Sequence, residues 1–180
     1  SIDPGKMIFS LKKKLDSLGV DCYFSTEVES FEETSKKIYL KLKSSNQSID
    51  IKTNKLVICT NAFAKKWFDM EDISPGRGFI LLTNKIPDLK INGCFHYNGG
   101  YYYFRNIGKR LLLGGGREID IKNETTYSFG INNRIRQKLI EDLKRFIVPN
   151  KDFHIKSEWS GIMGFGQNKL PLIKKFSENI

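Results

Sequence analysis

The sequence predicts an α+β fold built on an antiparallel sheet with flanking helices. Three observations carry that reading. Two stretches, 4–18 and 131–147, repeat apolar residues at helical spacing. Between them lie short alternating runs separated by Gly and Asn turn signals. From residue 76 to 115 those runs follow one another with no helix between them, the order of a meander. A chain of 180 residues suffices for one domain with a real core, or for two small lobes sharing an interface.

The elements follow in order. Asp3 before Pro4 is an N-cap with proline at the first helical position. Met7, Leu11, Leu15 and Leu18 then form an apolar stripe that Gly19 stops. "VDCYF" and "EVESFEE" are expected as strands, and "KKIYLKLK" and "SIDIKT" as a hairpin across "SSNQ". "KLVICT", 55–60, holds four consecutive apolar residues bounded by polar ones, as a strand covered on both faces would. "NAFAKKWF" reads as a short helix at its carboxyl end, a junction where α/β proteins hold ligands. "GRGFILLTN", "CFHY", "YYYFR" and "RLLLGGG" form the meander. Ile131, Ile135, Leu139, Leu143 and Phe146, with Ile140 and Ile147 beside them, form a helical stripe ended by Pro149, and "FHIKSEW" is a last strand. The composition shift near 71–76 marks an internal boundary.

Charge and composition narrow the function. The net charge is +10, but Lys supplies 23 of the 30 cations, mostly on polar faces, and the seven Arg are scattered, so no specific nucleic-acid site is expected. No apolar run approaches the roughly 18 residues of a membrane helix. Cys22, Cys59 and Cys94 lack metal or CxxC spacing and are expected as buried free thiols in a reducing compartment, so the expected location is cytoplasmic. His96 and His154 have no motif neighbours and read as structural. No catalytic base emerges, and no GxGxxG or Walker pattern exists: Leu81 follows Gly76 and Gly78 where a third glycine is needed. "YYYFR" sends Tyr101, Tyr103 and Arg105 to one side by period two, where they could line a pocket. The same basic, aromatic sheet face admits an alternative, a non-catalytic module binding RNA or protein.

"SIDPGKMIFSLKKKLDSLGV", "STEVESFE", "KLVICTNAFAKKWF", "SPGRGFILLTN", "GYYYFRNIGKRLLLGGGRE" and "EWSGIMGFGQNKLPLIKKFSENI", in this order and spacing, resemble the FAD-dependent oxidoreductases related to D-amino-acid oxidase, glycine oxidase and sarcosine oxidase. The resemblance implies part of a Rossmann-like FAD-binding lobe at 1–70, a substrate-binding antiparallel sheet at 71–158, and a return to the FAD lobe at 159–180. It also implies that the amino-terminal GxGxxG segment has no counterpart here. The missing Met at the start agrees with a fragment of a longer enzyme, expected to hold FAD incompletely and to turn over little alone.

By the same resemblance, Val28 and the turn Thr60, Asn61 and Ala62 would meet the cofactor through backbone atoms. Gly161 and Met163 would lie in a loop returning over the flavin. Arg77, Tyr101, Tyr103, Arg105 and Met163 would face the substrate, a small amine or amino acid; the remaining partner would be the missing segments of the same enzyme. Where amino-acid oxidases of the family carry a carboxylate-clamping arginine two residues after that glycine, this chain has Met163, and a thioether cannot make that bidentate bond. Arg105 or Arg77 is then expected to replace it, or the substrate to be an amine. The chemistry implied is hydride transfer from the carbon bearing the amine to the flavin, with the protein positioning and desolvating the amine.

Overall fold

The structure, a computed structural model, describes residues 2–69, 72–166, 168 and 170–180. It divides into two compact units, Ser1–Cys59 with Ile173–Ile180, and Thr60–Leu172. The expected boundary at 70/71 falls on residues outside the described ones; the units part instead at 59/60 and 172/173.

In the first unit, helix α1 (Pro4–Ser17) starts where Asp3 accepts the Lys6 N–H at 3.1 Å, and it turns out at Gly19 with φ 73°. Its apolar stripe is present but uncovered. No residue of α1 is buried, and Met7, Leu11, Leu15 and Leu18 are all exposed. Strands β1 (Thr26–Glu33), β2 (Ile38–Ser44) and β3 (Gln47–Thr53) form an antiparallel meander. Ile38, Leu40 and Leu42 on β2 make its small core, onto which Val28, Phe31, Leu56 and Ile180 pack. The chain returns here at its end: Leu56 N–H donates to Asn179 O at 2.9 Å, and Ser177 Oγ and Asn179 Nδ2 donate to Glu33 at 2.7 and 3.0 Å.

Two expected strands are not formed. Residues 20–24 and 55–60 belong to no strand of the structure, and Val57 is 81% exposed. An apolar run becomes a buried strand only when neighbouring strands and a covering layer supply hydrogen bonds and apolar contact.

The second unit carries a five-stranded antiparallel sheet in the order β5-β6-β7-β4-β8, from β4 (Ile73–Thr83), β5 (Cys94–Tyr97), β6 (Tyr102–Ile107), β7 (Arg110–Gly115) and β8 (Ile155–Gly166). Short α2 (Ile121–Glu124) and α3 (Asn133–Asp142) lead to one face of it. Phe79, Leu81, Tyr102, Leu111 and Leu113 from the sheet meet Ile135, Leu139 and Leu143 in the main core. After Asp142 the helix widens into a π-turn, Leu143–Ile147, with Val148 N–H donating to Leu143 O. That extra residue per turn brings Ile147 into the core and leaves Phe146 about half exposed. Ile131, expected on the stripe, lies before the helix and is exposed.

Candidate functional site

The site is built on the face of the second sheet that α3 does not cover. Side chains alternate across a strand, so register assigns each residue to a face. Tyr103 pairs with Gly114, Gly114 with Ile80, and Ile80 with Trp159, which makes one row across four strands. Two residues along β8 comes the pair Gly78 and Gly161, and two further the pair Gly76 and Met163. None of Tyr103, Ile80, Trp159, Met163 or Phe165 is fully buried, whereas Phe79, Leu81, Leu111 and Leu113 on the other face are.

Glycines shape this surface. A Cβ at Gly114 would stand 2.7 Å from the Tyr103 ring, and one at Gly78 would stand 2.8 Å from Met163 Cε; Phe165 lies over Gly76 in the same way. Each large side chain thus lies flat on a neighbouring glycine. Gly161 differs: a Cβ there would meet nothing within 4 Å, so the strand is bare between Trp159 and Met163. The segment 159–166, expected to leave the sheet as a returning loop, stays in it, because β8 pairs with β4 from Ile155 to Gly166.

Tyr103, Arg105, Gly161 and Met163 therefore share one face. Burial raises the Tyr103 phenol above its ordinary value, further from deprotonation at neutral pH. Tyr101 does not belong to the row: it precedes β6 in a helical-region conformation and is 55% exposed, so period two does not extend to it. Tyr102 and Phe104 point to the core, as alternation requires.

The two arginines expected to replace a clamp at 163 do not stand near it. Arg105 shares a row with Leu112, Leu82 and Ser157, and Ser157 is six residues from Met163 along β8. That is about 20 Å along the strand, besides the width of three strand spacings. Arg77 is on the opposite face. Its Nε and Nη2 each donate at 2.8 Å to the buried Glu124 carboxylate, and Nη1 donates to Ser128 O. Arg77 is thus held in a bidentate pair and is not available to a ligand on the Met163 face.

Asn61 and Ala62 lie in a short 3-10 turn, Asn61–Lys66, that follows Thr60 and approaches β8 from the α3 side. A Cβ at Gly164 would strike Asn61 Oδ1 and come within 3.1 Å of Ala62 N. The turn and the open face thus converge on adjacent residues of one strand, from opposite sides. Val28 belongs to the first unit, where the β1–β2 register slips between Val28 and Ser30, a β-bulge. Cys59 and Cys94 are free but exposed rather than buried, and Cys22 is intermediate. Among the described residues no cluster of His, Cys, Asp and Glu could hold a metal ion, and no helix is long and apolar enough to cross a membrane.

The sequence model for the FAD dependent oxidoreductases, DAO, matches residues 1–180. The chain belongs to this family. Solved structures with the same fold include an L-proline dehydrogenase from P. horikoshii, at 20% identity and TM-score 0.68, matched over 98% of this chain and 48% of that one. Glycine oxidases from Geobacillus kaustophilus (19% identity, TM-score 0.58, 91% of this chain and 43% of that one) and Bacillus cereus ATCC 14579 (16%, 0.58, 90% and 43%) share it as well. This DAO chain therefore spans about half the length of those structures. No curated protein matches the sequence.

FAD, the family's cofactor, places a flat ring system against its protein. The bare backbone at Gly161, bordered on the same strand by Trp159 and Met163, fits such a ring; a side chain at 161 would project into that space. Sequence reasoning missed one residue further along this face, beside Phe165. Arg117 follows "GGG" at the end of β7, where Gly116 at φ 79° turns the chain, and its guanidinium carbon stands 4.3 Å from the centroid of the Phe165 ring.

Proposed function

We propose that this chain carries the substrate-facing part of an FAD-dependent enzyme that oxidises a small amine or amino acid. In this reading residues 1–70 belong to the FAD-binding lobe, 71–158 form the substrate-binding sheet, and β8 carries that sheet to Gly166 before the chain returns. The observation that carries the proposal is the open sheet face on which Trp159 and Met163 border the bare strand at Gly161, with Tyr103 on the same face in the Trp159 row. The names of the structural neighbours, a proline dehydrogenase and glycine oxidases, support the substrate class.

Bound FAD would supply the hydride acceptor. The chain's own part is positional. Gly161 lets the ring approach the strand, while Trp159, Met163 and Ile80 exclude water from the reacting carbon. The Tyr103 hydroxyl, protonated at neutral pH, donates a hydrogen bond to a polar substrate atom. No acid or base of the chain is assigned to the amine proton. The exposed stripe of α1 and the apolar segment 56–59, which joins no strand ladder, support further strands of the FAD lobe as the covering layer of the first unit.

The test supplies this chain with the FAD-binding segments it is expected to need, loads the assembled enzyme with FAD, and mixes it anaerobically with a panel of small amines and amino acids while flavin absorbance is followed. Bleaching by an amine-bearing compound is expected, slowed at least tenfold by Trp159→Ala. If no amine bleaches the flavin while the protein binds FAD, the proposal fails.

A further inference from the structure

We propose that the outer edge of β3 is a self-association surface, on which a second copy of this chain pairs antiparallel and joins the two small sheets edge to edge. β3 is the last strand of its sheet, and all of it from Gln47 to Lys52 is exposed. The two edges of that sheet differ. β1, on the far side, is interrupted by the bulge between Val28 and Ser30, a common way to blunt an edge. β3 pairs with β2 from Thr53 to Gln47 without any shift and holds no proline, so it offers a regular template for another strand.

The hairpin limits how a second copy can pair. Its two-residue loop closes on Ser44 and Gln47, the first hydrogen-bonded pair, and antiparallel ladders alternate from there. Gln47, Ile49, Ile51 and Thr53 therefore spend their backbone groups on β2, while Ser48, Asp50 and Lys52 turn theirs outward. Outward residues must meet outward residues across a twofold axis. Centring that axis on Asp50 or on Lys52 sets like charges opposite each other, and centring it on Ile49 sets Asp50 against Ser48. Centring it on Ile51 sets Asp50 of each copy against Lys52 of the other, two opposite-charge pairs. Both side chains are exposed, and neither makes an ion pair among the described residues. The same register also serves the other face. Ile51 and Ile49 lie beside Leu40 and Leu42 on the core side yet are 38% and 41% exposed. Ile51 would meet Ile51 of the second copy on the axis and extend that small core.

Sedimentation velocity of the full chain over a concentration series, with amide hydrogen exchange read at Asp50 and Lys52, tests the pairing. A dimer is expected, with both amides more protected as concentration rises. Asp50→Lys and Lys52→Asp should each weaken the dimer at least tenfold and leave the melting temperature and circular dichroism unchanged. An equimolar mixture of these two variants should associate again, and so should the double exchange Asp50→Lys with Lys52→Asp. A chain that stays monomeric throughout the series overturns the inference. Association that survives both single variants overturns it too, and loss of that association in Leu11→Lys with Leu18→Lys would assign it to the stripe of α1. Protection of Asp50 and Lys52 that does not change with concentration would show the edge covered within one copy, which also sinks the pairing.

Discussion

Glycine 161 and glycine 164 are three residues apart and sit in opposite circumstances. Replacing Gly164 by alanine drives a methyl into Asn61 Oδ1 and the Ala62 backbone, and is expected to cost about 1–3 kcal/mol, read as a lowered urea midpoint. Gly161→Ala meets nothing within 4 Å, so stability should hold within about 0.5 kcal/mol while flavin affinity falls. The Arg77–Glu124 pair gives a second prediction. Burial alone would raise the Glu124 carboxyl, but hydrogen bonds from Arg77 and Asn132 and the Arg77 charge hold it below its ordinary 4.5. A depressed folded pKa gives stability that is full above the unfolded value and lost as pH falls through the folded one. The urea midpoint should therefore drop as pH is lowered from about 5 through 4 and below, with a smaller slope in Glu124→Gln. Arg77→Ala at neutral pH leaves a carboxylate that is 1% exposed without its partner, an expected loss of about 3–5 kcal/mol. The sequence showed Arg77 only as part of "GRG"; its partner lies 47 residues away, which no local pattern reveals.

At the scale of elements, helix stripes were legible and their ends were not. Ile135, Leu139 and Leu143 pack as the 3.6-residue period requires, but the π-turn moves the last contact from Phe146 to Ile147. Leu139→Ala should cost about 2–5 kcal/mol by chemical denaturation, and Ile131→Ala, outside the helix, less than about 0.5 kcal/mol. In the sheet, alternation set Tyr103 and Arg105 on the face opposite Tyr102, and the packing of α3 decided that Tyr102 is the core side. Alternation failed at Tyr101 because β6 begins one residue later, after a turn at Asn98–Gly100. The glycine-rich "GIMGFG" looked like a loop for the same reason that it is a strand: with glycines at 76 and 78 on the partner, β4 and β8 have room for Phe165 and Met163 to lie flat across them.

For the whole chain, the two units differ in how completely they are covered. The second has a core on one sheet face. The first has three buried apolar residues on β2 and an α1 with none. Leu11→Lys with Leu18→Lys should leave the melting temperature unchanged, since neither side chain is buried, and should lower any self-association seen by sedimentation. A lowered melting temperature would show that this stripe is packed in solution.

The sequence by itself determined the two helical stripes, the α1 cap, the meander and the family, because these depend on local spacing, turn chemistry and the order of short segments. It also determined that position 163 carries no charge. Only the tertiary structure decided which face each residue occupies and which arginine stands near Met163, because strand register and the turn at Gly116 bring together residues that are distant along the chain.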